Sequence, residues 1–146
     1  MSSNIKPFSS GVTQAHASMF EGCFIIINRN LRFNICDLKD SFRLNKDVPE
    51  LHALIAKHIN EALQYACLFW FSHLEESVLK GSDARVLTFL SSVKTLFWVE
   101  ALSLMDAVDQ GIIILHDCIR FFTVSPPSCD VIFHLTISRI NRALLK

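Results

Sequence analysis

The chain has 146 residues, with 14 Lys and Arg set against 14 Asp and Glu for a formal net charge of zero. It therefore lacks the basic footprint that phosphate backbones require, which argues against nucleic acid as a ligand. Apolar residues make up 51% and charged residues 19%, enough for one domain to bury a core and leave apolar surface over for a protein partner.

The five cysteines, at positions 23, 36, 67, 118 and 129, include no C-x-x-C pair. They read as reduced core thiols of an intracellular protein. Met1 to Gly11 lacks the apolar stretch of a secretory signal. The most apolar run, Ile112 to Phe122, is interrupted by His116, Asp117 and Arg120 and is too short to span a bilayer. The expectation is a soluble, cytoplasmic chain.

In chain order, residues 1–11 combine serines with Lys6-Pro7 and Ser10-Gly11 and read as a flexible lead-in. A helix is then predicted from Thr13 to Phe33. Phe20, Cys23, Phe24, Ile27 and Leu31 step by three or four along one face, and Ile25 and Ile26 widen it. The period is lost from Cys36 to Asp47, where Phe42 and Leu44 are expected to tuck back onto the helices. Asp47-Val48-Pro49-Glu50 reads as a helix start, with Asp47 as cap, Pro49 in the first turn and Glu50 three residues on. Leu51, Leu54, Ile55 and Ile59 supply its stripe.

Asn60 is placed to cap a helix over 61–77. Leu63, Ala66, Cys67, Trp70, Phe71 and Leu74 share one face, and Tyr65, Leu68 and Phe69 make the other side apolar too, as in a central element. Lys80-Gly81-Ser82-Asp83 closes it and caps the next. A long helix is predicted over 83–108 on Val86, Leu90, Val93, Phe97, Leu104 and Val108, antiparallel to 61–77 because the joining loop is short. A shorter helix over 110–122 ends before Ser125-Pro126-Pro127. In 130–146, Val131, Phe133, Leu135 and Ile137 alternate as a strand would, while Ile137, Ile140 and Leu144 suit a helix; helix is preferred because a lone strand has no partner.

The expected fold is all-α, a compact array of about five to six helices with antiparallel neighbours. Residues 12–123 form the helical domain and 124–146 a tail of open conformation. The expected core includes Phe24, Ile27, Leu31, Phe33, Cys67, Trp70, Phe71, Leu74, Leu90, Phe97, Trp98 and Leu104.

Reactive chemistry is sparse. Four glycines and no G-x-x-x-x-G-K-[ST] leave nothing to cradle a nucleotide phosphate. His116 and Cys118 lie two apart, and on a helix such positions face different ways; with Cys129 and His134 as the nearest other donors, they fall far from metal-ligand spacing. His52, His58 and His73 read as solvated or edge residues, and Cys67 lies six positions from His73, which excludes a dyad. Glu100 stands within Phe97-Trp98-Val99-Glu100-Ala101-Leu102, where an unpaired buried carboxylate would be costly. It either emerges at an edge or ties to Arg32 or Lys94. Trp70 and Trp98 suit a core better than a ligand pocket. No catalytic residue, cofactor, metal or small-molecule substrate is expected, and the chain does not read as an enzyme.

Three blocks carry a family resemblance: Leu31-Arg32-Phe33-Asn34-Ile35-Cys36, Tyr65-Ala66-Cys67-Leu68-Phe69-Trp70, and Leu96-Phe97-Trp98-Val99-Glu100-Ala101-Leu102-Ser103-Leu104-Met105. In order and spacing they resemble the helical region of basidiomycete NACHT-type, NOD-like receptor proteins that follows the nucleotide-binding domain and precedes C-terminal repeats, often WD repeats. The resemblance runs from Ala15-His16-Ala17-Ser18 to Arg120-Phe121-Phe122. It implies a non-catalytic segment that packs against other domains or copies of such a receptor and relays conformational change in self or non-self recognition. The chain departs from the pattern at Asp37, where glycine is expected, at Leu68, where a basic residue is expected, and past Phe122. A detached or truncated segment of a receptor is the reading that follows, with a free-standing helical adaptor or decoy as the alternative.

Overall fold

A computed structural model describes residues 9–40, 43–77 and 83–123. The fold is all-α, with six helices and no strand among the described residues: α1 Ser9–Asn30, α2 Leu51–His58, α3 Glu61–Glu75, α4 Asp83–Ser91, α5 Lys94–Leu104 and α6 Val108–Thr123. The caps expected at Lys80-Gly81-Ser82, the side chain of Phe42, Cys129 and the tail 124–146 lie outside the described residues.

The principal pair is α1 with α3. His16 meets His73 and Phe24 meets Trp70, so the two run antiparallel. The stripe Phe20, Cys23, Phe24 and Ile27 of α1, continued by Leu31 just past its end, is buried in one core with Leu63, Ala66, Cys67, Trp70 and Leu74 of α3. α5 reaches α3 through Trp98, whose ring lies 6.3 Å from that of Trp70 and whose indole N–H donates to the Cys67 carbonyl at 3.0 Å. Phe89 of α4 closes the aromatic cluster, 5.9 Å from Trp70 and 6.4 Å from Trp98. α6 packs on α3 through Phe121 against Phe71 and on α5 through Gly111, where an added methyl would lie 2.5 Å from Leu102 Cδ1. Glycine thus sets how closely α5 and α6 approach.

Several boundaries differ from expectation for local reasons. α1 begins at Ser9, inside the presumed lead-in, and ends at Asn30 rather than Phe33. Asn28 and Asn30 donate their side-chain amides to the carbonyls four residues back, and Asn34 takes a left-handed conformation, φ 48°, so the chain turns out of the helix. Phe33, expected in the core, is consequently 73% exposed. Leu44, expected to tuck back, is 61% exposed.

The predicted capping box does not form: Asp47 belongs to a 3-10 turn, Asn45–Asp47, and Glu50 becomes the N-cap of α2 in a left-handed conformation with no side-chain cap bond. Asn60 does cap α3, accepting the Leu63 N–H at 2.9 Å.

The long helix predicted over 83–108 is two helices, bent by 74° at Ser92 and Val93. Ser92 and Thr95 both donate their hydroxyls to the Phe89 carbonyl, and the Lys94 N–H turns to Ser92 Oγ. Side-chain bonds thereby replace the helical ladder. The break leaves Val93 exposed and Phe97, expected in the core, half-buried. Phe24, Ile27, Leu31, Cys67, Trp70, Phe71, Leu74, Leu90, Trp98 and Leu104 are buried. Among the described residues no single helix is long and apolar enough to cross a membrane.

Candidate interaction site

The densest polar construction lies where α5 grips the end of α1. The last carbonyls of a helix have no partner within it, and Lys94 supplies one: its ammonium donates to the carbonyls of Asn28 at 2.9 Å and Leu31 at 2.6 Å. Six residues on, Glu100 does the complementary work. Its carboxylate oxygens accept the backbone N–H groups of Asn34 and Ile35, each at 3.2 Å. Burial pushes the Glu100 carboxyl up, opposed by these two N–H groups and by the charge of Arg32. One helix thus presents a cation to stranded carbonyls and an anion to stranded N–H groups of the same corner. Farther along α5, Asn45 donates to the Ser103 carbonyl at 2.9 Å, tying in the connector.

The expected direct tie of Glu100 to Arg32 is not made. Arg32 instead forms a two-pronged pair with Asp37 at 2.9 and 3.0 Å and donates to the carbonyls of Asn34 and Ile35. The geometry dictates this: Arg32 and Asp37 lie on the exposed side of the turn and Glu100 on its inner side. The Arg32 hydrogen bond holds the Asp37 carboxyl below its ordinary value, but so exposed a pair contributes little stability. Asp37, which stands where the resembled pattern has glycine, adopts φ 52°, a conformation aspartate tolerates better than most residues. The side chain of Asn34 completes the turn by bonding both the N–H and the carbonyl of Leu38.

A second polar group escaped the sequence-based expectation. His73, read as an edge residue, is buried. Its Nδ1 lies 3.0 Å from His16 Nδ1 and its Nε2 lies 2.7 Å from the Tyr65 hydroxyl. Burial, and secondarily His16, lowers its basicity. Helical angle could have revealed it, since position 73 falls beside Ala66 on the buried arc; its polar neighbours in sequence obscured that.

The remaining candidates do not converge. His116 is exposed whereas Cys118 is buried, and burial raises the thiols of Cys23, Cys36 and Cys118, with Cys67 pushed up to about 12. Such thiols are poor nucleophiles. No group of three or more His, Cys, Asp or Glu that could hold a metal occurs among the described residues. A groove of about 450 Å³ includes Phe24, Arg85, Thr88 and Phe89 in its lining. Its polar side chains are engaged internally, Arg85 with Glu21 and Thr88 with the Ala84 carbonyl. What the molecule does present is apolar surface: Met19 and Ile25 on α1, Tyr65 and Phe69 on α3, Ile112 and Ile113 on α6.

The class defined by this fold is an all-helical protein whose described polar groups serve mainly internal ties and whose outer faces are partly apolar. The chain is 28% identical, over an alignment of 116 positions that covers 72% of the chain, to the vegetative incompatibility protein HET-E-1 of Podospora anserina, a fungal NACHT and WD-repeat protein. It spans 8% of the length of that relative. No protein-family model matches the chain, and no solved structure matches it.

Proposed function

We propose that the chain is a non-catalytic helical segment of NACHT-type receptor architecture, which works by packing against neighbouring domains and transmitting their movement. The observation that carries this is the 28% identity to HET-E-1 over 116 residues. The corner where Lys94 and Glu100 hold the end of α1 supplies a mechanical element that fits this reading. Such a tie couples the position of α5 to that of α1, as a relay element requires. The exposed apolar residues of α1, α3 and α6 are the surfaces through which it would engage other domains. In this account residues 12–123 act as one unit and no bond-making chemistry is assigned to them.

Co-expression of the full chain with a NACHT and WD-repeat receptor from the same genome tests the proposal. The receptor is expected to co-purify with the chain and to be lost when the segment is replaced by an unrelated helical domain of the same length. Equal recovery with the unrelated domain would contradict it.

A further inference from the structure

We propose that the outer face of α3 is a docking surface for a basic amphipathic helix from another protein domain. This rests on the packing role argued above and names one face and one partner chemistry for it.

At about 100° per residue, Glu61, Tyr65, Ser72 and Glu76 project along one arc of the helix, with Phe69 and Glu75 at its margins. The opposite arc is the core face already described, so burial of Trp70 and Leu74 obliges this one to face outward. Tyr65 and Phe69 are 41% and 44% exposed, and their rings lie 4.9 Å apart. The hydroxyl of Tyr65 is fixed by His73, itself held by His16. This is an aromatic platform with little side-chain freedom left to lose on binding, the kind of surface that anchors interfaces.

The charge around it selects the partner. Glu61, Glu75 and Glu76 form no ion pair among the described residues, whereas Glu21 pairs with Arg85 and Asp37 with Arg32. No Lys or Arg occurs anywhere in α3. Carboxylates bracket the aromatic pair over a length of about 22 Å, matching a partner helix of about four turns with apolar side chains at its centre and Lys or Arg towards both ends. A second copy of the same face would oppose like charges, and an anionic membrane would be repelled.

The test is an NMR titration of the full-length, isotope-labelled chain with a synthetic amphipathic Leu/Lys helix and with its Leu/Glu isomer. The Leu/Lys peptide is expected to shift amides of residues 61–76, to weaken as salt is raised, and to bind about ten-fold less tightly to a Tyr65→Ser, Phe69→Ser double variant. A Glu61→Lys, Glu75→Lys, Glu76→Lys variant should instead prefer the Leu/Glu isomer. All five positions are exposed, and circular dichroism would verify that both variants remain helical. Shifts centred on α6 rather than α3, equal binding of both peptides, or recruitment to anionic vesicles would overturn the proposal. Undiminished receptor co-purification by the Tyr65→Ser, Phe69→Ser variant would also exclude this face while leaving the wider packing role intact.

Discussion

Replacing Trp98 with alanine should cost about 3–5 kcal/mol, the range for deleting a large aromatic side chain from a packed core. Trp98 is fully buried, and its ring fills the space between α3, α4 and α5. Set against a domain stability of about 5–15 kcal/mol, that loss threatens the cooperative transition itself. The two tryptophans should separate on milder substitution. Trp98 donates its N–H to the Cys67 carbonyl, whereas the buried Trp70 N–H has no hydrogen-bond partner among the described residues. Trp70→Phe therefore removes an unsatisfied donor, a gain of about 1–3 kcal/mol that offsets the smaller ring. Chemical denaturation should show Trp98→Phe clearly less stable than Trp70→Phe; equal losses would refute the assigned hydrogen bonding.

The second large effect is expected at Glu100. Glu100→Ala strands the N–H groups of Asn34 and Ile35, and two part-buried donors without partners should cost about 2–4 kcal/mol. Glu100→Gln keeps one acceptor oxygen and should fall between alanine and the parent. The pH dependence follows from the raised carboxyl of Glu100, for which burial is the largest cause. A carboxyl raised in the folded state binds its proton more tightly there than in the unfolded chain, whose ordinary value is 4.5. Its contribution is therefore greatest below 4.5 and is lost as pH rises through the higher folded value. The stability of the parent minus that of Glu100→Gln should accordingly grow as the solution is acidified from neutral towards 4.5. Glu21 and Asp37, whose carboxyls are lowered by Arg85 and Arg32, drive the opposite trend but cancel in that difference. A difference that shrinks on acidification would mean that the two N–H groups, not burial, dominate the site.

What the sequence disclosed was set by the range of the interactions involved. The stripe from Phe20 to Leu31 repeats every three or four residues, and the cap at Asn60 bonds a residue three positions on, so a turn or two of sequence exposes both. The break at Ser92 and Val93 was hidden because apolar positions continue in register on both sides, while the serine and threonine hydroxyls that unmake the helix carry no hydrophobic signal. Phe33 was misplaced because the helix was extended past Asn30, where two asparagines divert the backbone. Glu100 was recognisable as a carboxylate that must either emerge at an edge or find a partner. Its true partners, two backbone N–H groups some 65 residues away, have no side-chain identity for sequence spacing to reveal. The same holds for Lys94, whose acceptors are carbonyls. Part-buried pairings across helices, such as His16 with His73, depend on which helices become neighbours, and the antiparallel partner of α3 proved to be α1.

Hydrogen–deuterium exchange on the full chain, alone and mixed with a NACHT and WD-repeat receptor, would show whether the chain packs against such a protein. The receptor is expected to slow exchange along the helices bearing exposed apolar residues, chiefly α3, while amides around Trp98 in α5 keep their rates. Identical exchange with and without receptor at about 10 micromolar, a concentration that would populate any interface of regulatory strength, would contradict it.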